Sequence, residues 1–132
     1  MRSLAAATML SAAALAAGPA NACLVLEGRN AEEKALRAAD LVVTVEALTQ
    51  DLRPDPTEPG IFRGSATGRV SSVQKGRMRI GKVVAYRVSS GKDVMGCPEF
   101  RQTVPGRTYD LYLRRARPGE PWTVIRRAPF YD

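Results

Sequence analysis

Histidine is absent from the chain, cysteine occurs twice, as Cys23 and Cys97, and tryptophan once, as Trp122. Each scarcity excludes a class of chemistry. Without histidine no imidazole can activate a serine or cysteine nucleophile, zinc loses a common ligand, and general-base work falls to a carboxylate or a lysine. The two cysteines do not form a Cys-x-x-Cys pair, so no dithiol redox site is encoded. Aromatic residues make up 6% of the chain, which leaves Tyr112 and Trp122 as the candidates for stacking on nucleic-acid bases near the basic stretches. Lysine is scarce too: of 20 basic residues four are lysine and sixteen arginine. With abundant alanine beside it, that bias is the composition of a GC-rich bacterial genome, which accounts for most of the arginine count. The sequence predicts no catalytic residue, no cofactor and no metal site, and so no enzyme.

Long apolar runs are also missing, with one exception at the start. Met1-Arg2-Ser3 is cationic, Leu4 to Ala17 is apolar, Gly18-Pro19 breaks the run, and Ala20-Asn21-Ala22 presents small residues at the two positions a signal peptidase reads. The run is about 14 residues, short of the roughly 20 that span a bilayer. Residues 1–22 therefore read as a secretory signal peptide cleaved after Ala22, with a periplasmic or secreted product and no stable transmembrane span. Two cysteines in an exported chain read as one disulfide, Cys23 to Cys97. It closes a loop of about 75 residues, worth about 4 kcal/mol in the chain-entropy picture. The competing use of Cys23 is lipid attachment, which excludes the bridge.

What remains, residues 23–132, is one domain with a modest core. Loss of Arg2 takes its net charge from +7 to +6. Asn30 to Ala39 predicts a short helix, with Asn30 as cap, Glu33 completing a capping box, and Leu36 and Ala39 toward the core. Glu27, Glu32, Glu33 and Asp40 cluster acidic charge there at the spacing of a solvated helix face. Leu41 to Leu48 predicts a buried strand with Leu41, Val43, Val45 and Ala47 on one face. Three prolines make Arg53 to Gly60 a loop. Ile61 to Gln74 predicts a strand bent or bulged at Gly64 and Gly68, and Lys75-Gly76 a turn. From Met78 to Val88 the even positions Met78, Ile80, Val84, Tyr86 and Val88 face the core, broken by Lys82, while Arg77, Arg79 and Arg87 share the other face. Ser89 to Gly96 reads as loop and Val104-Pro105-Gly106 as a turn. Tyr109, Leu111 and Leu113 then alternate with polar residues in the clearest strand. Trp122 to Arg127 is the last strand, and Phe130 and Tyr131 pack back onto the body. Five strands, one short helix and interior glycines predict a mainly β fold, a small five-stranded OB-like barrel. An immunoglobulin-like sandwich needs about seven strands.

Four pieces in order carry a family resemblance: Cys23 at the mature start; Ala39-Asp40-Leu41-Val42-Val43-Thr44-Val45; Arg69-Val70-Ser71-Ser72-Val73-Gln74-Lys75-Gly76; and Cys97 followed by Gly106-Arg107-Thr108-Tyr109-Asp110-Leu111-Tyr112-Leu113. Over residues 23–127 the chain resembles the netrin-module and tissue-inhibitor-of-metalloproteinase group of secreted OB-fold barrels. The resemblance implies a non-catalytic binding module whose partner is another protein of the cell envelope. Its implied contact surface is Cys23, Leu24 and Val25 beside the loop around Cys97. In the inhibitor branch the first cysteine clamps a protease's zinc; Leu24 and Val25 depart from that motif, and no cysteine follows two places on. The plain alternative is that Leu24 and Val25 begin a strand. The second functional reading is a binder of anionic ligands (oligosaccharide, lipid headgroup or nucleic acid) on a basic barrel face made by Arg77, Arg79 and Arg87, extended by Arg114, Arg115, Arg126 and Arg127. Its plain alternative is a solvated basic surface. Intact mass of the exported protein tests the bridge: the expected species starts at Cys23 and is lighter than the dithiol by a pair of hydrogens, whereas added acyl mass would assign Cys23 to lipid.

Overall fold

The computed structural model describes residues 30–92 and 98–129. The leader, Cys23, Leu24, Val25, Cys97, Phe130 and Tyr131, with the bridge and the N-terminal contact surface predicted on them, lie outside the described residues. The chain order is helix α1 (Ala31–Ala38), then strands β1 (Leu41–Pro54), β2 (Phe62–Lys75), β3 (Val83–Lys92), β4 (Pro98–Phe100), β5 (Thr108–Arg114) and β6 (Trp122–Ala128). β1 is antiparallel to both β2 and β5, β2 to β3, and β5 to β6. A parallel contact between β3 and β6, Tyr86 opposite Trp122 and Arg87 opposite Thr123, joins the ends of the sheet. The result is a closed five-stranded barrel in the order β1-β2-β3-β6-β5, an OB-like architecture, with one short helix outside it.

The alternation predicted for β1 and β5 is the alternation of the core. Leu41, Val43, Val45 and Ala47 meet Tyr109, Leu111 and Leu113 inside the barrel, with Ala66, Val70, Val84, Tyr86, Val88 and Val124 completing it. Each large aliphatic side chain buried this way contributes about 2 kcal/mol. Two residues on the outward parity are buried as well, Val42 and Tyr112. They form a second cluster with Ala39, against which Ala35 and Leu36 of α1 and Ile125 pack. The helix thus covers this apolar patch on the barrel's outside. Asn30 stands at its N-cap without a side-chain capping bond, so the predicted capping box does not form. The other end is closed from a distance: Lys75 Nζ donates to the carbonyls of Leu36 (2.7 Å) and Arg37 (3.4 Å), giving the helix's negative end its cation.

Four departures from the predicted elements have physical causes. β1 runs on to Pro54, which pairs with Phe62; the next residue, Asp55, donates its N–H to Ile61 O (2.8 Å), so Pro54 falls at a non-hydrogen-bonded pair where the ladder needs no donor. A sixth strand, β4, pairs with the end of β3 outside the barrel, so β3 extends to Lys92 where a loop was predicted. β3 starts at Val83 instead of Met78, because Gly81 at φ +88 and a bond from Lys82 N to Arg79 O (3.1 Å) make Arg79–Lys82 a tight turn of the type that requires a left-handed third residue. Ile80, expected in the core, is therefore 66% exposed. Finally, the bulges in the β1–β2 ladder fall at Leu48, Ser71 and Gln74. Gly64 serves close approach instead: a Cβ there would lie 1.6 Å from the backbone carbonyl oxygen of Asp51. Backbone cannot swing aside as a side-chain tip can, so Gly64→Ala is expected to cost about 3 kcal/mol of unfolding free energy, measured by urea denaturation; wild-type stability would show that the hairpin parts freely there.

Candidate functional site

One end of the barrel carries the start of β1, the β2–β3 connection and the β5–β6 connection. β2 runs beside β3 only as far as Arg69, opposite Val83; Val70 still bonds Gly81 and Lys82 of the connection, and the strand continues to Lys75 along β1. Residues 76–82 must therefore return across the barrel mouth to start β3. They meet Arg115–Pro118 of the β5–β6 connection across an open cleft of about 1480 Å³. Its floor is the lower edge of the core, with Leu41, Val73, Met78, Val84 and Trp122. Arg77, Arg79, Lys82, Arg115 and Arg117 line its walls against a single acid, Asp40.

That acid is already engaged. Asp40 Oδ2 accepts the backbone N–H of Arg115 (3.1 Å), and Asp40 N donates to Leu113 O (2.9 Å), so the carboxylate pins the β5–β6 connection to the helix–β1 junction. Among the described residues none of the five cations has a carboxylate within ion-pair distance. The Arg115 guanidinium lies 4.0 Å over the Trp122 ring, and the indole also packs on the core. An arginine on an aromatic face is held in place yet keeps its N–H groups available.

The predicted basic face is divided by the fold. Arg77 and Arg79 line this cleft, whereas Arg87, on β3 beyond the Arg79–Lys82 turn, lines a second, smaller one of about 380 Å³ with Arg53, Arg63 and Asp51. There two of the three arginines have carboxylate partners. Arg53 meets Asp51 at 3.4 Å, and Arg63 meets Asp55 at 2.7 Å and Glu58 at 3.3 Å. Arg127 does not join either face. It is buried, with Nε donating to Pro129 O (3.1 Å) and Nη1 to Gln102 O (2.5 Å), and its guanidinium stands 5.0 Å from the Tyr109 ring. Arg126 lies over Tyr112 at 5.0 Å, and Arg114 is exposed at the end of β5. Lys82 and Arg117 join the cleft without having been predicted there. Gly81, inside the run read as a strand, was the signal that the run breaks and turns its cations together.

The opposite end of the barrel is plugged. Thr103 is fully buried, its hydroxyl bonded to Tyr86 OH (2.8 Å) and its N–H to Gln50 Oε1 (2.8 Å), while Val104 N donates to Tyr109 OH (2.9 Å). Burial pushes the Tyr86 hydroxyl up from its ordinary pKa, and the Thr103 bond offsets part of that. Among the described residues no three histidines, cysteines or carboxylates gather into a metal-binding group, and no helix is long and apolar enough to cross a membrane. Fold and cleft together define an OB-like barrel with a cationic mouth. Set against known protein families, curated proteins and solved structures, the chain matches none.

At the β1–β2 connection Asp55 takes the Thr57 hydroxyl (2.7 Å), the N–H groups of Thr57 (2.8 Å) and Glu58 (3.2 Å), and Arg63. The Thr57 hydroxyl first, then its N–H and Arg63, hold the carboxyl well below the usual carboxylate range. A depressed pKa in the folded state means the contribution is fully present above the unfolded value, about 3.9, and is lost as pH falls toward the folded one. Hydrogen-exchange protection of the Thr57 and Glu58 amides is therefore expected to persist from neutrality to below pH about 4, and to be absent at every pH in Asp55→Ala. Loss of protection at neutral pH in the wild type would contradict this loop geometry.

Proposed function

We propose that the barrel is an exported, non-catalytic binding module that holds an anionic ligand in the cleft at its open mouth. The observation that carries this reading is the concentration of Arg77, Arg79, Lys82, Arg115 and Arg117 around one concavity whose sole carboxylate is occupied by a backbone amide. Like charges gathered without partners raise the local potential and draw in counter-ions. The second cleft lacks this, because carboxylates hold Arg53 and Arg63. The resemblance to netrin-type barrels supports a binding role without naming the ligand. The protein-partner reading rests on Cys23, Leu24 and Val25, outside the described residues. Base stacking is disfavoured: Arg115 covers the exposed face of Trp122, and Tyr112 is buried beneath Arg126 and α1, so neither ring offers the platform that single-stranded nucleic acids use.

Dextran sulfate supplies a soluble test ligand. Its affinity is expected to fall at least tenfold between about 50 and 200 mM salt, as phosphate-type contacts do. The combined variant Arg77→Ala/Arg79→Ala/Lys82→Ala should lose binding by about two orders of magnitude, taking about 1 kcal/mol per cation. Arg87→Ala should change it less than about twofold, the range of a peripheral surface charge. If Arg87→Ala weakened binding as much as the combined variant, the cleft would not be the site.

A further inference from the structure

The mouth of the barrel carries something that a soluble polyanion has no use for. Ile80 stands at the second position of the Arg79–Lys82 turn with 66% of its surface in water, the most exposed large apolar side chain among the described residues, and Val83 beside it is 44% exposed. Scattered surface apolar residues are ordinary. This one is flanked in sequence by Arg77, Arg79 and Lys82, and it is held outward. Lys82 N bonds Arg79 O (3.1 Å), Gly81 N bonds Val70 O (2.7 Å), Val70 N bonds Lys82 O (2.9 Å), and Arg69 Nη1 reaches Gly81 O (3.3 Å). Those four bonds fix the turn on both flanks, so the isoleucine is presented by a braced hairpin, and little conformational freedom remains to be lost on docking.

Resting on the anion-binding reading above, we infer that this end of the barrel docks onto an anionic lipid bilayer, with Ile80 seated among the headgroups and the cleft cations on the lipid phosphates. The two chemistries present at the barrel mouth are the two that a bilayer surface offers together: a layer of negative charge immediately above hydrocarbon. Arginine and lysine at the rim keep their charge at headgroup level while their stems lie along apolar surface. A free phosphate or a soluble acidic polymer would be satisfied by the cations and would leave Ile80 in water. Charge complementarity thus selects an anionic surface, and the braced apolar tip selects lipid within that class.

The test uses the protein as cells produce it, sedimented with vesicles of phosphatidylcholine alone or with roughly one-third phosphatidylglycerol. Trp122, the only tryptophan, reports docking by its emission. The expected result is binding to the phosphatidylglycerol vesicles alone, weakened about fivefold by Arg79→Ala and about fivefold by Lys82→Ala. Ile80→Ser, at an exposed position that leaves the core intact, should weaken vesicle binding about tenfold and leave dextran sulfate affinity unchanged. Vesicle binding undiminished in Ile80→Ser would overturn bilayer docking while sparing the anion-binding cleft. So would tighter binding of a single-stranded oligonucleotide than of vesicles at equal salt. Absence of binding to both vesicles and dextran sulfate would overturn the cleft reading itself.

Discussion

Closure of the sheet rests on a short parallel seam, Tyr86 and Arg87 of β3 against Trp122 and Thr123 of β6. Every other neighbouring pair of barrel strands is antiparallel and longer, with up to twelve residues of β1 in register with β2. Parallel pairing is the less stable kind per residue, and two rungs of it cannot keep two strands together along their length. Beyond the seam β3 goes on to pair with β4, and β6 goes on beside β5 alone. A barrel closed at so few rungs has two ends that need separate solutions, and the chain treats them oppositely.

At the end reached by the later parts of β3 and β6, the buried Thr103, between Gln102 and Val104, fills the gap. Backbone brought against the core must have its polar groups satisfied, at about 1–3 kcal/mol for each left bare. Tyr86, Tyr109, Gln50 and Arg127 supply the partners for Thr103, Val104 and Gln102, and no buried side-chain nitrogen or oxygen among the described residues is left without one. The seam and the plug are coupled through Tyr86, which sits in both. At the other end the gap opens as the cleft, floored by Trp122, the seam residue paired with Tyr86.

How much of this could be read beforehand depends on whether a strand keeps its parity. β1 and β5 keep it across their shared ladder, from Leu41 opposite Leu113 to Glu46 opposite Thr108, so the core residues they contribute were legible from alternation alone. β6 does not. Ile125 is an extra residue between the Val124–Leu113 and Arg126–Tyr112 pairs. The bulge flips the inward face, so Val124 and Arg127 both point inside while Ile125 and Arg126 lie against the helix side and Tyr112. A pattern rule without the bulge places Arg127 on a basic surface, the wrong side of the sheet. The β3 error is of the same kind: Met78 and Ile80 match the core parity, but Gly81 breaks the strand, so Met78 packs under the mouth and Ile80 points to water. The helix was legible from composition, yet the cation bonded to its last carbonyls is Lys75, 38 residues further along the chain than Arg37, a pairing no local pattern encodes.

The excess of positive charge is not spread evenly over this architecture. Asp51, Asp55 and Glu58 sit at the β1–β2 connection and hold Arg53 and Arg63 there; Arg127 is drawn into the plug and Arg126 onto Tyr112. Each of these arginines has a structural occupation, so the net positive charge of the whole chain overstates what most of the surface can offer a ligand. At the cleft the proportion reverses, with five cations to one carboxylate that is itself bound to backbone. Since the field of an exposed charge fades over about 10 Å in ordinary salt, a ligand senses this local imbalance and not the total. The end of the barrel that the plug leaves open is therefore also the end where positive charge is concentrated, and both properties follow from β3 starting late, after a glycine turn that carries its cations across the mouth.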